Sequence, residues 1–339
     1  MANYAKHKAI VSSAYEKFEK AKAEGDLLFF PSEVSTHQDS GVEFQIRLCP
    51  ALLHKPPLPT PHFDPASESD AHTGKGKPDP FMPPYVPNLY IGELKDEEEG
   101  DEYVFLLNKY SVVPYHFLMV TKDFQSQTSP LMPPDLVNAY STLVAARKLG
   151  KPLFAFYNCG DVSGASQPHK HLQFIPIDDE DGPPIEQLAR SARLETPDKP
   201  FSLPTLPFAN HIHRLTLPLT PSPSLLAPTL AQSYLSLLDL IISTVRHDPT
   251  YPPGTPSYNI LLTLQHIYAF PRRHEFHVLE KSGERLSVNA LGYAGMLLVK
   301  DEGELEAVRG EGIGRVLRSV GCESIHEEQV RGSTEMDEI

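Results

Sequence analysis

The stretch YNCGDVSGASQPHKHLQFIPI, residues 157–177, decides how this chain is read. Its end, HKHLQFIPI, has the alternation of a strand and follows the strand LFAFYN (153–158) across the Gly- and Ser-rich loop CGDVSGASQP. Successive side chains of a strand point to opposite faces. His169, His171 and Gln173 therefore form one row, while Lys170, Leu172 and Phe174 face the other way. The loop from Gly160 to Gln167 contains two glycines, which allow backbone N–H groups to approach an anion closely as a nest. The pattern predicts a phosphate cradle abutting an imidazole row.

Outward from that stretch the elements are strand clusters interrupted by single helices. NLYIGEL and EYVFLLN read as a hairpin across the acidic turn KDEEEGD, HFLMVT as a third strand, and PDLVNAYSTLVAARKLG as a helix with Pro134 and Asp135 at its start. Before them, residues 9–24 have the apolar spacing of a helix and VEFQIRL (42–48) alternates as a strand. The Pro-, Gly- and Ser-rich segment running on to Pro87 is long for a loop in a compact domain. Beyond a proline-rich connection at 185–208 come the strand HIHRLTLPL, the helix PTLAQSYLSLLDLIISTVRH, the strands SYNILLTL and HIYAFPR, the apolar NALGYAGMLLV and a final helix near 304–320. This order predicts an α+β fold with mainly antiparallel sheets. The expected division is an N-terminal domain over 1–200 that carries the HxHxQ motif, a C-terminal domain over 201–325 that completes the site, and a polar tail over 326–339.

Composition narrows the function. The formal charge of −14 disfavours a grip on a nucleic-acid polymer, which needs many Lys and Arg contacts to phosphate. Small phosphorylated ligands remain open to an acidic protein that gathers a few cations and N–H groups in one cleft. No apolar run approaches the roughly 20 residues that span a bilayer, and MANYAKHKAI lacks the apolar core of a signal peptide. A cytoplasmic protein with access to the nucleus and no membrane partner is expected. Cys49, Cys159 and Cys322 lie far apart without a CxxC pair and read as reduced thiols.

Three chemistries compete for the HxHxQ row. It could be a solvated strand face, a zinc site completed by His274 and His277, or a nucleophile with its supporting groups. A carboxylate or cysteine at ligand spacing is missing near the motif, which argues against the metal. HIHRL (211–215) has the same histidine spacing without the Gly-rich loop or a third polar group, so His211 and His213 read as structural. A neutral imidazole, unperturbed pKa about 6.5, is a competent nucleophile near neutrality, and the rate should fall in acid as it becomes charged. Gln173 cannot supply a proton to a leaving group. That suits ATP or ADP, which leave with little protonation, and favours transfer between phosphorylated nucleotides over hydrolysis. Arg272 and Arg273 read either as positive charge for the cleft or as a charged strand end.

The segment FYNCGDVSGASQPHKHLQ resembles the active-site segment of the fungal diadenosine tetraphosphate phosphorylases, or ATP adenylyltransferases, of the histidine-triad superfamily. FQIRLCPALLHKP, LLNKYSVVPYHFLMVTKDF and NALGYAGMLLVK resemble further segments of that family. The resemblance implies a histidine-triad-like α+β fold related to galactose-1-phosphate uridylyltransferase. It also implies an adenylyl-histidine intermediate, and the reversible conversion of diadenosine tetraphosphate plus phosphate to ATP plus ADP. A dinucleoside polyphosphate hydrolase or a sulfate adenylyltransferase (ADP) using the same covalent step is the alternative. Carried over on matching positions, His171 is the nucleophile, His169 its support, and Gln173 a phosphate contact. Lys55, Asn158, Gly164, Ala165, Ser166 and Gln167 hold phosphates and ribose, and Asn289, Ala290, Leu291, Gly295, Met296 and Lys300 close over the nucleotide. The resemblance covers the loop at 56–87 least, and no site residue is carried into it. Diadenosine tetraphosphate, ATP, ADP, AMP and phosphate are the implied partners. No covalent cofactor is implied, and magnesium is expected only as counter-ion to the nucleotide.

Overall fold

The computed structural model describes residues 2–51, 79–95, 100–177, 182–218 and 221–324. Lys55, the turn at 96–99 and the tail from 325 lie outside the described residues. The frame is one antiparallel sheet of eight strands. In spatial order these are β10 (His211–Arg214), β12 (His266–Arg272), β11 (Ser257–Leu262), β8 (Leu153–Cys159), β9 (His171–Pro176), β7 (Phe117–Thr121), β5 (Glu102–Leu107) and β4 (Tyr90–Lys95). The sheet runs through both halves of the chain, joined where β8 pairs with β11 and Asn158 stands opposite Asn259. Every residue of β8, β11 and β12 is buried, as expected of strands covered on both faces.

One face packs against α1 (Ala2–Glu24), α2 (Pro133–Lys148) and α4 (Pro223–His247), burying Phe18, Leu136, Leu143, Leu230 and Leu237 against Phe105, Phe117 and Phe174. By length and average composition α4 could cross a membrane. It escapes a search for an unbroken apolar run because serines, a glutamine and Asp239 interrupt it, and its stripe Leu226, Leu230, Tyr234, Leu237, Ile241 is buried in the core. The other face meets a three-stranded sheet of β2 (Glu33–Asp39), β3 (Val42–Leu48) and β15 (Met296–Val299), together with α3 (Pro184–Ser191), α5 (Ala290–Ala294), α6 (Glu302–Glu311) and α7 (Ile313–Val320). Two small ladders complete the fold: β1 (Leu28–Phe29) with β6 (Tyr110–Ser111), and β13 (Phe276–Val278) with β14 (Arg285–Ser287).

Three local expectations are corrected. The proline-rich connection at 185–208 begins with α3, because paired prolines suit a helix start and Ile185 and Ala189 supply a buried face. The helix expected near 304–320 is two helices, broken at Gly312 with φ +87°. His169 and Lys170 precede β9, since the amide of Lys170 bonds Gln125 O and that of Gln127 bonds Pro168 O, so this segment follows the 125–127 loop.

Candidate active site

Pairing of β8 with β9 stops at Phe156 and Gln173, and beyond that pair the strands splay. The Gln127 side chain fills the gap. Its Oε1 accepts from the His171 amide at 2.8 Å, and its Nε2 donates to Asn158 O at 2.7 Å and to His171 O at 3.3 Å. A primary amide thus replaces a stretch of ladder and holds His171 and Asn158 apart. Nothing in the sequence near Gln127 announces this role.

Nδ1 of His171 lies 2.8 Å from His169 O. A carbonyl only accepts, so Nδ1 carries the proton and Nε2 keeps its lone pair. Burial holds the imidazole's pKa down at about 4, so the ring is neutral across the physiological range. The 6.5 expected of a free imidazole is corrected by desolvation, which penalises the charged form. His169 has Thr121 O at 2.7 Å from Nε2 and Asp79 Oδ2 at 2.7 Å from Nδ1, both acceptors. Both ring nitrogens of His169 are thus occupied. His169 therefore has no free nitrogen to offer a zinc ion, whereas His171 keeps Nε2. His277 is bonded to Glu311 and Ser319, and no metal-holding group of three or more His, Cys, Asp or Glu occurs among the described residues.

The third member of the row also has a keeper. His116 Nδ1 accepts from Asn108 Nδ2 at 2.9 Å, so its Nε2 donates to Gln173 Oε1 at 3.0 Å. With its oxygen occupied, Gln173 presents its NH₂ group as the free end. The cross-strand register extends this row sideways: Val104, Val120 and His171 stand opposite one another, and so do Leu106, Leu118 and Gln173. Phe81, Tyr85 and Tyr90 pack on these apolar residues, with the Phe81 ring 5.1 Å from that of His171. Asp79 and Phe81 therefore belong to the site, although they come from the loop where the sequence offered no anchor.

On the other side stands a polar chain. Asn158 Oδ1 accepts from Asn259 Nδ2 at 2.7 Å and from the Ala290 amide at 3.0 Å, whereas its Nδ2 is buried without a partner. An orphan donor on a residue 1% exposed calls for an explanation, and an oxygen of a bound nucleotide supplies one. Asn259 Oδ1 accepts from Arg272. Arg272 is 0% exposed and spends its guanidinium on Asn259 Oδ1 and the carbonyls of Ser163, His274, Val288 and Val320. It is neither a cleft surface charge nor a strand-end charge but a pin joining the glycine loop to the C-terminal half.

The loop itself has Gly160 at φ +93° and Gly164 at φ +79°. At Gly164 a Cβ would stand 2.6 Å from Val288 O and 2.8 Å from Asn289 Cβ. The C-terminal segment thus presses directly on the loop, with Asn289 capping α5 by accepting from the Leu291 amide. Asn158, Gly164, Asn289, Ala290 and Leu291 come together as expected, and Ala165, Ser166 and Gln167 follow on the same loop. Gly295 and Met296 follow directly on α5. Gly295 is the left-handed end of α5 packed on Pro184, and Met296 is a buried residue of β15 paired with β3. Lys300 is held by Glu284 and Glu304, each at 3.3 Å, so its charge is largely offset.

A buried neutral imidazole with a bare Nε2, beside a glycine loop and an orphan amide donor, defines a nucleotidyl-transfer site on a histidine-centred α+β frame. Residues 2–191 match the Ap4A phosphorylase N-terminal domain and residues 204–323 the ATP adenylyltransferase C-terminal domain. Diadenosine 5',5'''-P1,P4-tetraphosphate phosphorylase 2 of Saccharomyces cerevisiae is 32% identical over 308 residues, covering 86% of this chain and 87% of the relative. The crystal structure of yeast Ap4A phosphorylase Apa2 superposes with a TM-score of 0.74 at 28% identity, covering 93% of this chain and 98% of that one. Its complex with Ap4A gives 0.72 at 29% identity, covering 92% and 97%. The chain belongs to the Ap4A phosphorylase family.

Proposed function

We propose that this enzyme carries out the reversible phosphorolysis of diadenosine tetraphosphate to ATP and ADP through an adenylyl group on Nε2 of His171. The relatives are phosphorylases of this substrate, and a solved relative is named with it bound. The observation that carries the mechanism is the fixed tautomer of His171, whose Nδ1–H is spent on His169 O. In the first step the Nε2 lone pair attacks the α-phosphorus, the bond to the bridging oxygen breaks, and ATP leaves with those electrons. In the second an oxygen of phosphate attacks the same phosphorus, the P–N bond breaks, and ADP leaves while His171 regains its lone pair. Developing charge on the phosphoryl oxygens is met by the Gln173 NH₂ group, the Asn158 Nδ2 donor and the N–H groups of Gly164–Gln167. The apolar rows Val104–Val120 and Leu106–Leu118 with Phe81 seat the base. Lys55, on the family pattern, adds the cation that draws in phosphate, and magnesium enters only as counter-ion to the polyphosphate.

The test is to incubate the purified enzyme with diadenosine tetraphosphate labelled at the α-phosphate. The label should be trapped on His171 as an acid-labile, base-stable phosphoramidate, and phosphate should be required for ATP and ADP to accumulate. Label on a serine or lysine would sink the covalent step. Equal cleavage without phosphate, giving AMP and ATP, would make the enzyme a hydrolase.

A further inference from the structure

Asn158 and Asn259 stand opposite each other where β8 pairs with β11, and both side chains are buried, 1% and 0% exposed. A carboxamide at such a place fits either way round, since its C=O and NH₂ ends have nearly the same shape. Which way each one sits is fixed by Arg272. A guanidinium has N–H donors and no acceptor, so the Asn259 atom that meets it at 2.6 Å is Oδ1. Nδ2 is then the end that faces Asn158 at 2.7 Å and Ser163 O at 2.9 Å, and the Ser163 carbonyl requires the same orientation because it only accepts. Asn158 must answer with Oδ1. The Ala290 amide, another obligatory donor, meets that same oxygen at 3.0 Å.

Donor polarity passes in this way from Arg272 through Asn259 to Asn158, where it ends on Nδ2, an atom with no partner among the described residues. Arg272 cannot turn to release the chain, because it also donates to the carbonyls of Ser163, His274, Val288 and Val320. Hydrogen bonds in such a series polarise one another. The guanidinium charge, whose acceptors are all neutral, therefore sharpens the donor at the far end.

We propose that Asn259 is a positioning residue for the nucleotidyl transfer. Held by Arg272, it keeps the Asn158 amide turned with its NH₂ end toward the nucleotide, a role that rests on the phosphorylase reading for the ligand and on the hydrogen bonds for the orientation. Turned the other way, Asn158 would confront the oxygens of an anionic substrate with a lone pair. Both N–H groups of Asn259 are spent on Asn158 and Ser163, so it acts through its neighbour. The C-terminal half of the chain thereby sets the polarity of a donor that the N-terminal half carries.

The test is a double-mutant cycle on kcat/KM for phosphorolysis of diadenosine tetraphosphate. Asn259→Ala, which lets the Asn158 amide turn, should lower kcat/KM by about tenfold, the effect of one misplaced hydrogen bond. The same substitution made in Asn158→Ala should lower it by less than about twofold, because the group it orients is already gone. Asn259→Asp repeats the cycle with a side chain that still accepts from Arg272 but no longer donates to Asn158, so a loss of fold in the alanine variant, read from thermal melts, does not decide the outcome. Equal losses in the two backgrounds would make Asn259 a purely structural residue and overturn the assignment, as would wild-type kcat/KM in both variants. If the wild type shows no phosphorolysis, the phosphorylase reading falls, and AMP affinity carried through the same cycle judges Asn259 on its own.

Discussion

Nε2 of His116 donates to Oε1 of Gln173 at 3.0 Å, and this bond decides which end of the glutamine faces the reacting phosphate. Burial holds His116 neutral by lowering its pKa to about 4, so the donor persists through the working range. Replacing it, as in His116→Phe, frees the Gln173 amide to rotate. Steady-state kinetics should show kcat reduced by about tenfold, the effect of one misplaced hydrogen bond, with a smaller change in KM. A variant with unaltered kcat would show that Gln173 keeps its orientation by other means.

The pH profile follows from the burial of His171. Its pKa of about 4 means that protonation, which removes the nucleophile's lone pair, begins only well below neutrality. The acid limb of kcat/KM belongs near pH 4 rather than near the free-imidazole value of about 6.5. A rate that stays level from neutrality to about pH 5 is therefore the expected signature, although the sequence taken alone would count it against imidazole attack. An acid limb centred above pH 6 would show that another group governs the reaction.

Stability should respond to acid before activity does. His7, His116, His171 and His211 all have pKa values lowered to about 4, with burial the largest cause. The unfolded chain takes up these protons near 6.5 and the folded chain does not, so the unfolded state binds more protons between pH 6.5 and 4. Their contribution is complete above about 6.5 and is lost as pH falls toward 4. Thermal melts from pH 7.5 to 4.5 should show Tm dropping progressively, and a constant Tm would contradict the neutral burial of these rings.

Gly164→Ala should damage binding more than folding. The left-handed φ and the 2.6 Å approach to Val288 O force the loop away from the C-terminal segment. Isothermal titration with AMP should give an affinity at least about tenfold weaker, as expected when a strained φ is forced at a cost of order 1–3 kcal/mol. Wild-type affinity would mean that the loop does not form the phosphate cradle.

Behind the catalytic strand, Lys170 Nζ and Asp135 Oδ2 form a buried pair at 2.6 Å, with Tyr103 also donating to Asp135. Lys170→Met leaves that carboxylate buried without its cation, and denaturant melts should show a loss of about 3–5 kcal/mol. A loss under about 1 kcal/mol would place the pair among weak surface bridges.

The sequence made local periodicity and the reacting strand legible. VEFQIRL and HIYAFPR are strands over their full lengths, and alternation correctly sends Lys170, Leu172 and Phe174 away from His171. It could not show pairing between distant segments. Gln127, His116, Asn259 and Asp79 act through partners 44, 57, 101 and 90 positions away, and separations of that size leave no local period. Arg272 illustrates the limit, because a strand-end arginine reads as surface charge until the carbonyls that surround it are known.

The ladder between β8 and β11 has a further consequence for turnover. Tyr258 to Leu262 are zipped to Cys159 to Ala155 in the middle of the sheet, so the two halves of the chain form a single rigid plate. Enzymes that engulf a substrate by swinging domains need a crossing with few contacts, able to absorb the rotation. Here such a swing would tear a central strand pair. Admission of substrate and escape of product therefore fall to the loops at the rim of the sheet rather than to a hinge between its halves.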